Sequence, residues 1–146
     1  ENTRFLNPSP YTTLTIPGTA KTIINTSYYN QNNGAIVSES GRGYTMKDYI
    51  QPIITAGGIN AITTKPGGGT ITMSGASVAG AILAGCCALI IQWAVVDGND
   101  PQMYATKLQA YIIRGARKRE GDTYPNRQWG YGILDMQEIF KSLTNK

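Results

Sequence analysis

Met73-Ser74-Gly75-Ala76-Ser77-Val78-Ala79-Gly80-Ala81 is the stretch on which the fold turns. A glycine-containing turn runs directly into an apolar helix, and Ser77 stands at the junction. A helix N-terminus presents free backbone N–H groups and the positive end of the helix dipole, which favour developing negative charge. A serine placed there can attack a carbonyl while its own N–H helps hold the oxyanion. The same position also suits an ordinary N-cap serine, so the residue types alone leave both readings open.

Downstream, residues 76–96 are almost all apolar or small, with only Ser77 and Gln92 polar. A helix of that length reaches about 30 Å, enough for a bilayer core. Neither end carries a Lys or Arg anchor, the nearest being Lys65 and Lys107, so the expectation is a buried helix of a folded domain and no membrane span. Asp97-Gly98-Asn99 ends the run. Asp100 is then expected to cap a second helix with Pro101 at its first position, its apolar stripe formed by Tyr104, Leu108, Tyr111 and Ile112. Asp135, with Glu138 three residues on, predicts a capping box opening a third.

Upstream, short apolar runs alternate with turn chemistry. Strands are expected within 21–29, around Ile23-Ile24, and over 35–38, separated by Asn32-Asn33-Gly34. Gly41-Arg42-Gly43 reads as a tight turn. Further strands are expected over 51–56, 59–64 and 70–73, with Lys65-Pro66-Gly67-Gly68-Gly69 as a loop between the last two. Strands followed by a buried helix imply an α/β domain with both sheet faces covered.

The 146-residue chain contains no histidine, so it cannot hold a complete Ser-His-Asp or Cys-His set. Charged residues are only 15% of the chain, which fits a tightly turned globular domain and not a disordered polyelectrolyte. The net charge of +4 has one basic cluster, Arg114, Arg117, Lys118 and Arg119, followed at once by Glu120 and Asp122. That pattern fits a solvated helix end, and no nucleic-acid partner is expected. Cys86 and Cys87 are adjacent on the helix, about 100° apart, and read as small core residues.

Ser74-Gly75-Ala76-Ser77-Val78-Ala79-Gly80-Ala81-Ile82-Leu83-Ala84-Gly85 resembles the subtilisin-family serine motif SGTSxAxPxxAG. Thr22 to Asn30 resembles the family's "VITVGAYN" strand, Ser40 to Thr45 its "FSSRGPT" turn, and Ile50 to Asn60 its "IKPDITAPGVN" segment. Order and spacing agree from 17 to 97. The ends, including Phe5 to Ala20, Gly98-Asn99-Asp100-Pro101 and Tyr124 to Gly132, are similar to clostridial subtilases, most of all the Csp group of spore-germination proteases.

The resemblance implies a three-layer fold with a mostly parallel sheet and a buried helix after the nucleophile. Residues 1–16 would connect from an upstream inserted, jelly-roll-like domain, and 17–146 would form the C-terminal part of the catalytic domain. It implies Ser77 as nucleophile, the Ser77 backbone N–H in the oxyanion hole, and Val78 bordering substrate on the leaving-group side. The catalytic Asp and His and the oxyanion Asn would lie upstream, in an N-terminal portion of the same protease with its prodomain. The substrate would be a protein, plausibly a zymogen cut during spore germination, and the location spore-associated or extracellular. No metal ligand is identified here, though calcium is a family cofactor. The motif departs from the family pattern at Ala76, Ala81, Ile53, Gly57 and Asn25-Thr26-Ser27. Some members are inactive, so a pseudoprotease acting as a signalling or scaffold subunit stands as the alternative. A fragment of this kind, taken by itself, is expected to expose strand edges and an apolar helix face.

Overall fold

The computed structural model describes residues 3–144. Its elements, in order, are β1 (Thr26–Asn30), β2 (Ala35–Ile36), β3 (Ile54–Gly57), β4 (Ala61–Thr64), β5 (Thr70–Met73), α1 (Ala76–Ile91), α2 (Ala105–Arg114) and α3 (Met136–Thr144). α1 continues without a break into a π-helical turn over Gln92–Val96.

β3 is the middle of the main sheet. Ile54, Thr55 and Ala56 are all buried, the pattern of a strand covered on both faces, and such strands pair in parallel. β1 lies parallel along one side, with Thr26 opposite Ile54 and Tyr29 opposite Gly57. On the other side Thr55 N–H donates to the Gly132 carbonyl at 2.9 Å, and Leu134 N–H donates to the Thr55 carbonyl at 2.8 Å. β2 folds back antiparallel on the end of β1 through a turn in which Gly34 has φ 70°. β4 and β5 form a separate antiparallel hairpin. The architecture is mixed α/β, as the sequence implies.

α1 packs against β1 and β3 through one stripe, burying Ala79, Leu83 and Ile90. Its other faces are open: Leu89 is 53% exposed and Val96 76%. The run Ala76–Val96 is long and apolar enough to cross a bilayer, with mean hydropathy 2.1. Beyond Leu83 a core forms from Ile90, Leu108, Ile112, Ile139 and Leu143, with Trp93 set edge-on to both Tyr111 and Phe140. α2 and α3 meet at Gly115, where a Cβ would stand 2.3 Å from the Ile139 Cα, so only glycine permits the contact.

Four local expectations change. The strand starts at Thr26 and not near Lys21, because Asn25 uses both ends of its side chain outside a ladder: Nδ2 donates to the Gly18 carbonyl at 2.7 Å and Oδ1 accepts from Ile53 N–H at 3.2 Å. Residues 41–43 run without a turn, held to the N-terminal arm by Thr13 N–H to the Arg42 carbonyl at 2.9 Å. Asp100 does not cap α2, which opens four residues after Pro101. Its carboxylate instead accepts from Lys107 Nζ at 2.6 Å and Tyr111 OH at 2.7 Å, two side-chain donors that outcompete a cap. Asp135 does cap α3, accepting from Glu138 N–H at 3.1 Å, but the Glu138 carboxylate turns to Lys141 and leaves the box half made.

Two outcomes follow from this packing. Gly115→Ala should lower stability by about 3 kcal/mol, since the clash is with backbone that cannot turn away, read as a lowered urea midpoint of the full-length protein. The Tyr111 pKa is raised first by its hydrogen bond to the Asp100 carboxylate and then by desolvation. A raised folded-state pKa means that this contribution to stability is complete below the ordinary phenol range and fades as pH rises through the folded value. Asp100→Asn should bring Tyr111 ionisation down in an ultraviolet pH titration.

Candidate functional site

Where β5 ends, the chain must turn from an exposed hairpin into α1. It does so at Gly75, whose φ of 136° and ψ of 172° are open to glycine and strained for other residues. Gly75 N–H donates to the Gly58 carbonyl at 2.7 Å, tying the start of α1 to the end of β3. Gly58 is confined in turn, since a Cβ there would come within 2.8 Å of the Tyr28 ring and 3.0 Å of the Gly75 carbonyl oxygen. Tyr28, Ala56 and Ala79 form a small apolar floor beneath the turn, flanked by Val37 and Ile59.

Gly75 is the N-cap, and no side chain caps the helix. The ordinary N-cap reading of Ser77 therefore fails: the serine is the second residue of α1. Val78 N–H and Ala79 N–H both donate to the Gly75 carbonyl, at 3.1 and 3.3 Å, which leaves the Ala76 and Ser77 amides without a partner inside the helix. Ser77 is exposed, and among the described residues no hydrogen bond engages its hydroxyl. Val78 beside it is half-buried. A free hydroxyl, a free amide on the same residue and the positive end of a long helix thus coincide at one surface point.

Two openings meet at Ala76. One, of about 490 Å³, lies between the N-terminal arm and the end of the sheet, lined by Leu14, Thr26, Glu39 and Ser40. The Ser38 hydroxyl, 2.6 Å from the Glu39 carboxylate, holds that acid below the usual carboxylate range. The other, of about 570 Å³, runs along α1 past Ile24, Gly80, Leu83 and Cys87. Burial pushes the Cys86 thiol up; burial, then the neighbouring Cys86, does the same to Cys87. Neither cysteine is an activated nucleophile; both are half-buried, and only Cys87 packs against the core, so the reading of both as core residues is met in part.

Among the described residues no group of three or more His, Cys, Asp or Glu side chains could hold a metal ion. The buried oxygen without a partner is Gln51 Oε1, and its amide nitrogen already bridges the Ala20 and Ile23 carbonyls, each at 3.3 Å. Calcium prefers six to eight oxygens that include carboxylates, and this neutral amide cluster does not fit it. Sequence reading passed over two features of the site. Gly58 faces Gly75, and Ser74 bonds Asn60; Ser74 sits inside the quoted motif, and its spacing from Asn60 is set only by the hairpin between them.

The subtilase family profile matches residues 2–132. Among solved structures, the Clostridium perfringens CspB protease superposes with a TM-score of 0.91 at 37% identity, covering 99% of this chain and 32% of that one. The prenylagaramide maturation protease PagA gives 0.74 at 26% identity, covering 92% of this chain and 47% of that one. The self-cleaved protease domain of PatA gives 0.70 at 26%, covering 89% and 44%. The chain thus spans a third to a half of the length of the solved chains it matches. No curated protein sequence gives a significant match. A profile match over most of the sequence, together with the CspB superposition, places the chain in the subtilase family.

Proposed function

We propose that this chain is the nucleophile-bearing C-terminal portion of the catalytic domain of a subtilisin-like serine endopeptidase. The single observation that carries the reading is Ser77: an exposed residue in the first turn of α1 whose hydroxyl and amide have no hydrogen-bond partner among the described residues. Ser77 Oγ attacks the scissile carbonyl and gives its proton to a histidine. Because this chain has no histidine, that base, the aspartate that orients it and the oxyanion asparagine come from an upstream portion of the same protease. The Ser77 N–H and the α1 dipole stabilise the oxyanion as it forms. The histidine then protonates the leaving amine on the Val78 side, and water releases the acyl group from Ser77 by the reverse sequence.

The upstream portion also accounts for the surface of this chain. Exposed Ile82 and Leu89 on α1, Val95 in the π-helical turn that continues it, and the edge of β1 that β2 leaves unpaired before Tyr29 are the faces it would cover. The two-thirds of the CspB chain that lie outside the match are long enough to do so. On this reading α1 is a domain-core helix and not a membrane span.

The motif resemblance to the Csp group carries a narrower reading: limited proteolysis of a protein zymogen in spore germination, by a spore-associated or extracellular enzyme made with a prodomain. Ser77→Ala in the full-length protein should abolish self-processing and zymogen cleavage, and should remove labelling by a fluorophosphonate probe. Cleavage that persists in that variant overturns Ser77 as nucleophile. A wild-type protein that neither cuts nor labels would make it a pseudoprotease that signals or scaffolds.

A further inference from the structure

We propose that Ser74, through its bond to the Asn60 backbone, is a positioning residue that holds the backbone of Ser77 in place against movement of the β4–β5 hairpin; the inference rests on the reading of Ser77 as nucleophile. The hairpin is a lever. β4 and β5 pair only with each other, and every residue of β5 is exposed. Its tip, Lys65 to Gly69, carries three successive glycines with positive φ. Met73, the last residue of β5, is four positions from Ser77, so displacement of the hairpin passes straight into the first turn of α1 unless its base is fixed.

Two cross-links fix that base. Asn60 N–H donates to Ser74 Oγ at 2.9 Å, and Ser74 Oγ donates to Asn60 Oδ1 over a longer 3.5 Å. One residue further in, Gly75 N–H donates to the Gly58 carbonyl. Asn60 sits at φ 52°, a conformation that asparagine tolerates better than most residues. The lock lies just inside the last ladder pair, Ala61 opposite Met73, and just outside the Gly58–Gly75 crossing. With no hydrogen bond to the Ser77 hydroxyl among the described residues, its place is set by the backbone from Gly75 to Ser77. A small backbone displacement at a nucleophile costs rate steeply, while almost no apolar packing is at stake in an exposed hairpin.

The test uses the full-length protein and a fluorophosphonate probe, separating the maximal labelling rate from probe affinity. Ser74→Ala should lower the maximal rate about tenfold with affinity and Tm nearly unchanged. Ser74→Thr, which restores the hydroxyl, should recover it. Asn60→Gly keeps the backbone donor to Ser74 and should retain most of the rate. Hydrogen exchange should quicken at the Gly75 and Val78 amides in Ser74→Ala alone. A Ser74→Ala protein with wild-type rate, or with unaltered exchange at Gly75 and Val78, overturns the proposal. An unlabelled wild type overturns the nucleophile reading instead, and the exchange measurement still decides the clamp.

Discussion

The bond from Gly75 N–H to the Gly58 carbonyl is the constraint on which this arrangement depends. It brings the end of the central strand against the start of the longest helix across sixteen intervening residues, which the β4–β5 hairpin takes up. Neither partner can carry a side chain without cost. Gly58 has the Tyr28 ring and the Gly75 oxygen against it, and Gly75 has a backbone conformation that a Cβ disfavours. The direction of α1 across the sheet, the free amides of its first turn and the outward placing of Ser77 all follow from this crossing.

The sheet beneath it is held from the far side by polar groups. Ser27 and Thr55, both buried on neighbouring strands, hydrogen-bond each other, and both reach the Gln128 carbonyl. That shared acceptor anchors the 126–134 segment, whose Gly132 and Leu134 complete the outer side of β3. Trp129 is buried against Tyr29, with the Arg119 guanidinium over its indole. Satisfied hydroxyls in a core cost little and fix register, because sliding the strands by one residue would break every bond in the set. The segment after α2 therefore belongs to the sheet as much as to the helices.

The parts of the fold that read clearly from sequence are those where one local signal has no competitor. β5 runs over 70–73 as expected, Gly34 takes its turn with positive φ, and Asp135 caps α3. The readings that shifted are those in which a side chain had a distant partner. Asn25 leaves the strand for Gly18 and Ile53, and Asp100 leaves the cap for Lys107 and Tyr111. Sequence shows that such side chains can bond, but the partner is fixed by tertiary placement. At the candidate site, the place of Ser77 at the start of α1 is legible in the sequence and its surroundings are not. Its rejection as an N-cap depends on Gly75 occupying that position, a fact of two dihedral angles.

Absence of histidine and exposure of α1 bear on one another. Either alone has an ordinary explanation: a non-catalytic domain needs no histidine, and apolar residues commonly remain at protein surfaces. Here the helix is open on more than one side, and the cleft along its Gly80, Leu83, Cys87 and Ile91 side runs up to Ala76, next to the exposed Ser77. Filling that cleft, between Ile24 and Thr26 on one side and Gly80 and Ile91 on the other, leads directly to the start of α1. On the proposed reading, one partner seated in that cleft would both cover it and bring a base to Ser77, so that completing the core and completing the site become one event.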